Sequence, residues 1–389
     1  MPDPEFGKIT DAKLAQLKQR VGAGLVDEHW APRPANAPRP PSAPHEQPHN
    51  TEVTVDALRH YAAGLADDNP LFFDPDYGRT TRWGGPIGHP LFVWTMGEDD
   101  VAEGMQRSEA YEALMKGDPI RGTGALQADM HYEFFRPLEL GDRIYKRTTP
   151  LGYIDRVSSW GGRVVNDWRG VATRNHKGEV THVQRGMWIR AERRPIKETK
   201  ETQLAPEPYT PEQLREIDEA YARASRRGAE PLYWEDVNVG SELATRVKGP
   251  LRVTDIILWH VGWGMNFPTY AFDFAYRKRH ETPGLYTPTP LNVPDIVQRM
   301  HWEEEWAFKV GAPARYDFGI IRENFLTQLI TDWMGDHGWL WKLSVQHRKF
   351  WFVGDTAWVK GRVTGKRQTD AGNEVTLDVW CENQRGLLI

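Results

Sequence analysis

The sequence predicts an α+β protein in which one unit, a helix followed by a meander of antiparallel strands, occurs twice. Three observations support this prediction. Short motifs recur in the same order in the two halves of the 389-residue chain, polar and apolar residues alternate after them, and each half ends in an Asn-x-x-Gly turn. Alternation is typical of half-buried strands, and Asn and Gly supply the positive φ angles of a tight hairpin.

The repeated motifs follow one another in matching order. A helix is expected to begin at 53–56 (Val-Thr-Val-Asp) in the first half and at 252–255 (Arg-Val-Thr-Asp) in the second. Gly141-Asp142 and Gly354-Asp355 then precede alternating segments in the two halves. Each half is therefore expected to contain one central helix and a sheet. The alternating segments are 142–146 and 357–363, and the turns are 175–178 and 383–386.

Proline-rich segments separate these units. A helix is expected from about residue 9 to 30, with Leu14, Leu17 and Val21 at helical spacing, followed by an extended arm at 31–48. A second helix begins at Pro211, with Thr210 as its N-cap. The predicted domains are 1–50 (helix and arm), 51–194 (first unit), 195–235 (helical linker) and 236–389 (second unit).

The composition excludes several classes of protein. A net charge of -5 argues against binding nucleic acid, and the single cysteine, Cys381, excludes an internal disulfide or a cysteine metal cage. There is no run of about 18 apolar residues and no secretory signal at the N-terminus, so a cytoplasmic protein without a membrane span is expected. The 17 tryptophans indicate core packing or a wide apolar pocket.

The most specific motif is at 66–74, Ala-Asp-Asp-Asn-Pro-Leu-Phe-Phe-Asp, followed at 82–89 by Arg-Trp-Gly-Gly-Pro-Ile-Gly-His. It resembles the hydratase loop of MaoC-type hot-dog proteins, roughly Gly-Asp-x-Asn-Pro-Leu-His-x-Asp. Phe72 stands where the family has its His. The matching residues are Asp67, Asn69, Pro70, Leu71 and Asp74.

This resemblance covers about residues 53–189 and 239–389, and implies two fused hot-dog domains, each a central helix wrapped by an antiparallel sheet. It also implies hydration of an enoyl thioester, or the reverse dehydration. In the family an Asp and a His hold and deprotonate one water, and a backbone N–H at the start of the central helix stabilises charge on the thioester oxygen. The resemblance implies no metal and no cofactor.

The first half retains only part of this machinery. Asp67 is the candidate carboxylate, and His89 is the candidate substitute for the imidazole that Phe72 lacks. Pro90 occupies the position of the backbone donor and has no N–H. The alternative is that Asp67 and Asn69 only brace the loop by accepting hydrogen bonds from backbone amides.

The second half retains the complementary parts. Residues 300–303 (Met-His-Trp-Glu) resemble the end of the same motif, so His301 is the candidate acid or base and the Gly319 N–H the candidate oxyanion donor. Asp295 is the candidate carboxylate, although it lies one residue from the expected position. The alternatives are a packed His301 bonded to a backbone carbonyl and an Asp295 that only forms a turn. Candidate substrate contacts are Asn69, Asn266 and Tyr316.

The resemblance therefore implies a lyase, an enoyl-CoA hydratase or 3-hydroxyacyl-CoA dehydratase that accepts a bulky acyl group. The expected partner is a CoA-thioester substrate, and the open alternatives include a homodimer of the fused chain. Two other functions remain open at this point. One is a non-catalytic protein that binds an acyl thioester or stabilises a partner subunit, and the other is thioester hydrolysis in the same pocket.

Overall fold

The computed structural model describes residues 5–23, 48–99, 109–158, 162–192, 206–264, 269–370 and 372–389. Nearly all of the predicted arm, and Asn266, lie outside these ranges. The helices are α1 (Asp11–Gln19), α2 (Val55–Leu65), α3 (Pro75–Thr80), α4 (Glu109–Met115), α5 (Pro211–Arg223), α6 (Val253–Trp263), α7 (Phe272–Glu281), α8 (Glu304–Lys309) and α9 (Gly319–Met334). No described helix is both long enough and apolar enough to cross a bilayer.

The described strands form two main sheets. One has the order β1-β3-β4-β5-β2-β9 and the other the order β11-β10-β6. The strands are β1 (Glu98–Asp99), β2 (Gly124–Phe134), β3 (Ile144–Ser158), β4 (Gly162–Asn175), β5 (Val180–Ala191), β6 (Arg246–Lys248), β7 (Tyr286–Pro288), β8 (Pro294–Ile296), β9 (Lys342–Gln346), β10 (Ala357–Thr369) and β11 (Gly372–Asn383). Strands β7 and β8 pair only with each other.

Equivalent elements of the two sequence repeats contact each other. Strand β2 pairs antiparallel with β9, so the larger sheet contains strands from both halves of the chain. Helix α2 packs against α6 where Gly64 approaches Gly262, and a Cβ on Gly64 would lie only 3.2 Å from the Gly262 Cα. Glycine allows this approach because it has no side chain.

Helix α9 is the central helix of the second half. It packs against β10, β11 and α2, and residues 320–332 are all buried. Several of these buried residues are polar or charged, which is costly unless each finds a partner. The helix therefore carries polar networks inside the protein, and these networks determine the chemistry at its ends.

The helix expected to begin at 53–56 is α2, and the helix expected to begin at 252–255 is α6. The resemblance also places a central helix of the first half after Pro90, and no long helix lies there among the described residues. A 3₁₀ helix of four residues, Phe92–Thr95, follows Pro90, and β1 comes next. Gly97, with φ of 106°, and the β-branched Val93 and Thr95 disfavour a continuous helix here. The hot-dog arrangement thus has one long central helix, α9, in the described part of the chain.

Two predictions about connecting helices are confirmed. Thr210 caps α5, its side chain accepting from the Gln213 N–H while the Gln213 side chain accepts from the Thr210 N–H. Helix α1 begins after its N-cap Thr10 and buries Leu14 and Leu17. It ends earlier than predicted, at Gln19, and residues 24–30 lie outside the described ranges.

Candidate functional site

A large cavity opens at the N-terminus of α9. Its volume is about 2330 Å³, above the roughly 300–1,000 Å³ of common small-molecule pockets. Both halves of the chain line it, with Gln127 and Trp188 from the first half and His301, Gly319 and His347 from the second. A cavity of this size suits a long ligand that extends from the surface into the protein.

Helix α9 begins at Gly319 without a side-chain cap. Its N-cap residue, Phe318, makes no capping hydrogen bond. The first amides of a helix have no intrahelical partner, and the helix dipole favours negative charge near them. The start of α9 can therefore stabilise an oxygen that gains negative charge in the cavity.

His301 lies directly against this helix start. Its ring centroid is 3.7 Å from that of Phe318, and its side chain is buried. The Nδ1 atom is 2.8 Å from the Tyr316 carbonyl oxygen, so Nδ1 carries the proton and donates it. The other nitrogen, Nε2, is left as an acceptor on a ring that lines the cavity.

The ring therefore bonds a backbone carbonyl and also lines the cavity, and the acid or base role of His301 stays a prediction. Burial lowers the pKa of His301 to about 3. The imidazole is therefore neutral at neutral pH and can accept a hydrogen bond from water. A group of such low basicity is weak as the main proton acceptor.

The predicted pairing of His301 with Asp295 is wrong. The Asp295 Oδ1 accepts from the Ile296 N–H at 2.7 Å, which is the turn role considered above. Asp295 does not line the cavity, and no carboxylate among the described residues pairs with His301. The pairing fails because Asp295 lies on β8, which turns its side chain back onto its own backbone.

A carboxylate that the sequence motif did not indicate lies one turn along α9. Glu323 is fully buried, and its Oε1 atom is 2.8 Å from His347 Nε2. Gln127 Nε2 donates to the same oxygen at 2.6 Å, and the Tyr132 hydroxyl donates to Oε2. Helical spacing alone could have placed Glu323 beside Gly319, but it gives no information about His347, which lies beyond the end of β9.

The other predicted substrate contacts have distinct positions. Tyr316 lines the cavity, and its ring packs on His301 with centroids 4.6 Å apart. Asn69 does not line this cavity; it lies in the first half, where its side chain accepts from the Leu71 N–H at 3.1 Å. Three cavity tryptophans add apolar surface, in line with the pocket interpretation of the aromatic content: Trp94, Trp188 and Trp263.

The first half brings Asp67 and His89 together, as the motif suggested. His89 Nε2 is 3.7 Å from Asp67 Oδ2, which is too long for a hydrogen bond. The other Asp67 oxygen accepts from the Asn69 N–H at 3.0 Å, so the bracing role is also present. Phe72 packs edge-on to His89, with centroids 5.1 Å apart.

This first-half pair lies in a closed environment. Burial lowers the pKa of His89 to about 3 and raises the pKa of Asp67. The adjacent cavity, lined by Asn69, Phe72 and His89, has a volume of about 40 Å³. That volume can hold a water or two but not an acyl thioester, so of these two cavities in the described part of the chain, the one at the start of α9 can admit a substrate of this class.

Comparisons with known proteins agree with this architecture. Residues 43–175 match the family described as FAS1-like, dehydratase domain region. A solved structure described as a MaoC-like dehydratase superposes with a TM-score of 0.58 and 16% identity, covering 88% of this chain and 93% of that one. At this identity the likeness shows the fold.

Two curated relatives match part of the chain. The UPF0336 protein of Streptomyces avermitilis is 25% identical over 134 residues, which are 34% of this chain and 75% of that protein. The UPF0336 protein of Thermobifida fusca is 28% identical over 105 residues, 27% of this chain and 64% of that protein. Each alignment covers about a third of this chain or less.

Proposed function

We propose that this chain is a MaoC-like hot-dog protein, as the partial family match and the shared fold support, and that it is a hydratase or dehydratase acting at the α,β double bond of an acyl-CoA thioester. One observation carries the proposal. The uncapped start of α9 at Gly319 and the imidazole of His301 meet in a cavity large enough for such a substrate. We also propose that the chain consists of two fused hot-dog domains, 51–194 and 236–389, joined by the helical linker 195–235.

The chemistry needs a site for charge and a site for water. In hydration, a water oxygen bonds to the β-carbon, the π electrons move to the α-carbon, and negative charge develops on the thioester oxygen. The Gly319 N–H and the dipole of α9 stabilise that charge. His301 Nε2 accepts a hydrogen bond from the water and orients it, and dehydration follows the same path in reverse.

The lining of the cavity contains groups that suit both the CoA part and the acyl part of the substrate. Arg348 and Lys349 are exposed and line the cavity, and their charge attracts the phosphates of CoA. The rings of Trp94 and Trp188 lie elsewhere in its wall, where a bulky or aromatic acyl group can pack. The expected ligand therefore enters past the basic residues and places its thioester at α9.

The experiment is a hydration assay with a panel of enoyl-CoA esters of increasing acyl size. We expect wild-type protein to hydrate the bulkier esters, and His301→Gln to lower kcat by about 10²-fold because the water loses the group that orients it. His131→Gln is the matched control, because His131 is exposed on β2 and bonds only Ser344. If the wild type and His301→Gln bind the esters equally and hydrate none, the protein is the non-catalytic binder.

A further inference from the structure

We propose that His347 and Glu323 are the acid–base pair of this cavity, with His347 as the catalytic residue and Glu323 as the residue that positions it. The inference rests on the proposed hydratase function. Glu323 supplies the carboxylate that the hydratase motif lacks in the second half. There another residue occupies the Asp position of the motif, and the Asp295 side chain accepts from the Ile296 N–H.

The first step is the position of His347. Its backbone N–H donates to the Ala128 carbonyl at 2.8 Å, which fixes it to β2 just beyond the paired part of β9. Its ring lines the cavity and covers the start of α9, because a Cβ on Gly319 would lie 3.0 Å from His347 Cε1. The imidazole therefore lies beside the amide that is expected to hold the thioester oxygen.

The second step is the orientation of the ring. Nε2 lies 2.8 Å from Glu323 Oε1, and an ionised carboxylate can only accept. The proton is therefore on Nε2, and the lone pair of the neutral ring is on Nδ1. No described residue bonds Nδ1, so it is available to a water or substrate in the cavity.

The third step is the environment of Glu323. The carboxylate has no exposed surface and accepts from three donors, on Gln127, Tyr132 and His347. Burial raises the pKa of Tyr132 well above its usual value, and the charge of Glu323 acts in the same direction, so its hydroxyl stays protonated and donates. A network that is satisfied by three donors holds the carboxylate rigidly.

A purely structural role would explain the burial of Glu323 but not the position of its partner. Here one member of the pair reaches the cavity at the start of α9, which is the arrangement a base and its orienting carboxylate require. Because the pKa of His301 is low, His301 is a weak base, and another residue is needed as the principal base.

The reaction balances with this pair. In hydration, His347 Nδ1 removes a proton from water as the water oxygen bonds to the β-carbon. The imidazolium formed is stabilised by Glu323, and it returns that proton to the α-carbon as the charge leaves the thioester oxygen. The net result is addition of one hydroxyl and one hydrogen across the double bond, with no other reactant consumed.

Three variants test the pair in the intact chain, with crotonyl-CoA and the bulkier esters as probes. We expect His347→Gln to lower kcat by about 10²–10⁴-fold with KM changed less than about threefold. Glu323→Gln should lower kcat by a similar factor because the ring loses its charged partner. His131→Gln, the exposed control, should keep wild-type rates.

A second measurement does not depend on activity or on folding of the Glu323 variant. Long-range 1H–15N spectra of the wild-type protein labelled with 15N-histidine should show neutral His347 with its proton on Nε2. A proton on Nδ1 in the wild type would overturn the inference.

The outcomes separate the two proposals. If the wild type hydrates the esters, and His347→Gln retains a kcat within threefold while His301→Gln does not, the function stands and the role of His347 is wrong. If the wild type hydrates none of the esters, both proposals fail, whatever the tautomer of His347.

Discussion

Replacement of Gly319 by proline removes one N–H from the start of α9 at a position where the helix tolerates proline. Proline is favoured as the first helical residue because that N–H has no intrahelical partner. The preceding residue must be extended, and Phe318 already is, with φ of -88° and ψ of 128°. The first half of the chain carries Pro90 at its corresponding position.

The proline also adds a Cβ, so alanine is its matched control. A Cβ at this position would lie 3.0 Å from His347 Cε1 and 3.1 Å from Gln127 Oε1, and both side chains must shift by a few tenths of an ångström. Gly319→Ala introduces this displacement and keeps the N–H. The difference between the two variants therefore isolates the amide hydrogen.

The magnitudes follow from these contacts. We expect the free energy of unfolding of both variants to lie within about 1 kcal/mol of the wild-type value. The added Cβ crowds its neighbours and destabilises the folded state, while loss of glycine lowers the entropy of the unfolded chain and so stabilises the protein. Gly319→Ala should lose about tenfold in kcat through the displaced His347. Gly319→Pro should lose a further 10²–10³-fold, the usual effect of one oxyanion donor, or about 3–4 kcal/mol.

The assay is steady-state hydration of the best enoyl-CoA ester, with urea unfolding of each variant as the check on stability. Gly152→Ala is a neutral control, because a Cβ there meets no atom within 4 Å. Equal kcat values for the alanine and proline variants would show that the Gly319 amide does not hold the thioester oxygen.

Three further predictions concern packing, the first-half pair and pH. Gly262→Ala should lower the free energy of unfolding by about 2–3 kcal/mol in urea titrations, because its Cβ would lie 2.4 Å from the His60 carbonyl oxygen. Gly64→Ala, whose Cβ would have its nearest contacts at 3.2 Å, should lower the free energy of unfolding by less. Equal losses in the two variants would contradict this packing. Phe72→His should restore the imidazole of the motif without any gain in the hydration assay, because the adjacent cavity is only about 40 Å³. If the His301→Gln variant lost activity and the double variant with Phe72→His regained it, the expectation that the first-half cavity admits no substrate would be wrong. Acid should destabilise the fold, because burial lowers the pKa of three histidines to about 3 and that of His260 to about 4, while the unfolded chain binds protons near pH 6.5. Burial raises the pKa of Asp332 to about 7, which offsets one of these four protons. Unfolding free energy measured against pH should therefore fall by about 4 kcal/mol per pH unit between about pH 5.5 and 4, and a flat profile would contradict neutral burial of His89, His182 and His301.

The sequence predicted the features that depend on local pattern. Alternation indicated β3 and β10, and Thr210 with Pro211 indicated the start of α5. The Asn-x-x-Gly turns lie where they were predicted, one joining β4 to β5 and the other following β11. The resemblance of its segment to the family motif placed Gly319 at the start of a helix, and α9 begins there. These features need no knowledge of distant contacts.

The features that were missed depend on contacts between distant residues. Glu323 and His347 are 24 positions apart and meet only because β9 pairs with β2 beside α9. Asp295 lies one residue from the motif position of the Asp, and its strand turns the carboxylate onto the Ile296 N–H. A central helix was expected in the first half by analogy with the second, and Pro90 and Gly97 break the chain there instead.

The most direct test of the central claim is a crystal structure with a non-reactive thioester analogue of the best substrate. The account predicts the thioester oxygen about 2.7–3.1 Å from the Gly319 nitrogen, with the β-carbon facing the rings of His301 and His347. An analogue bound away from the start of α9, or with its carbonyl held by other groups, would contradict it.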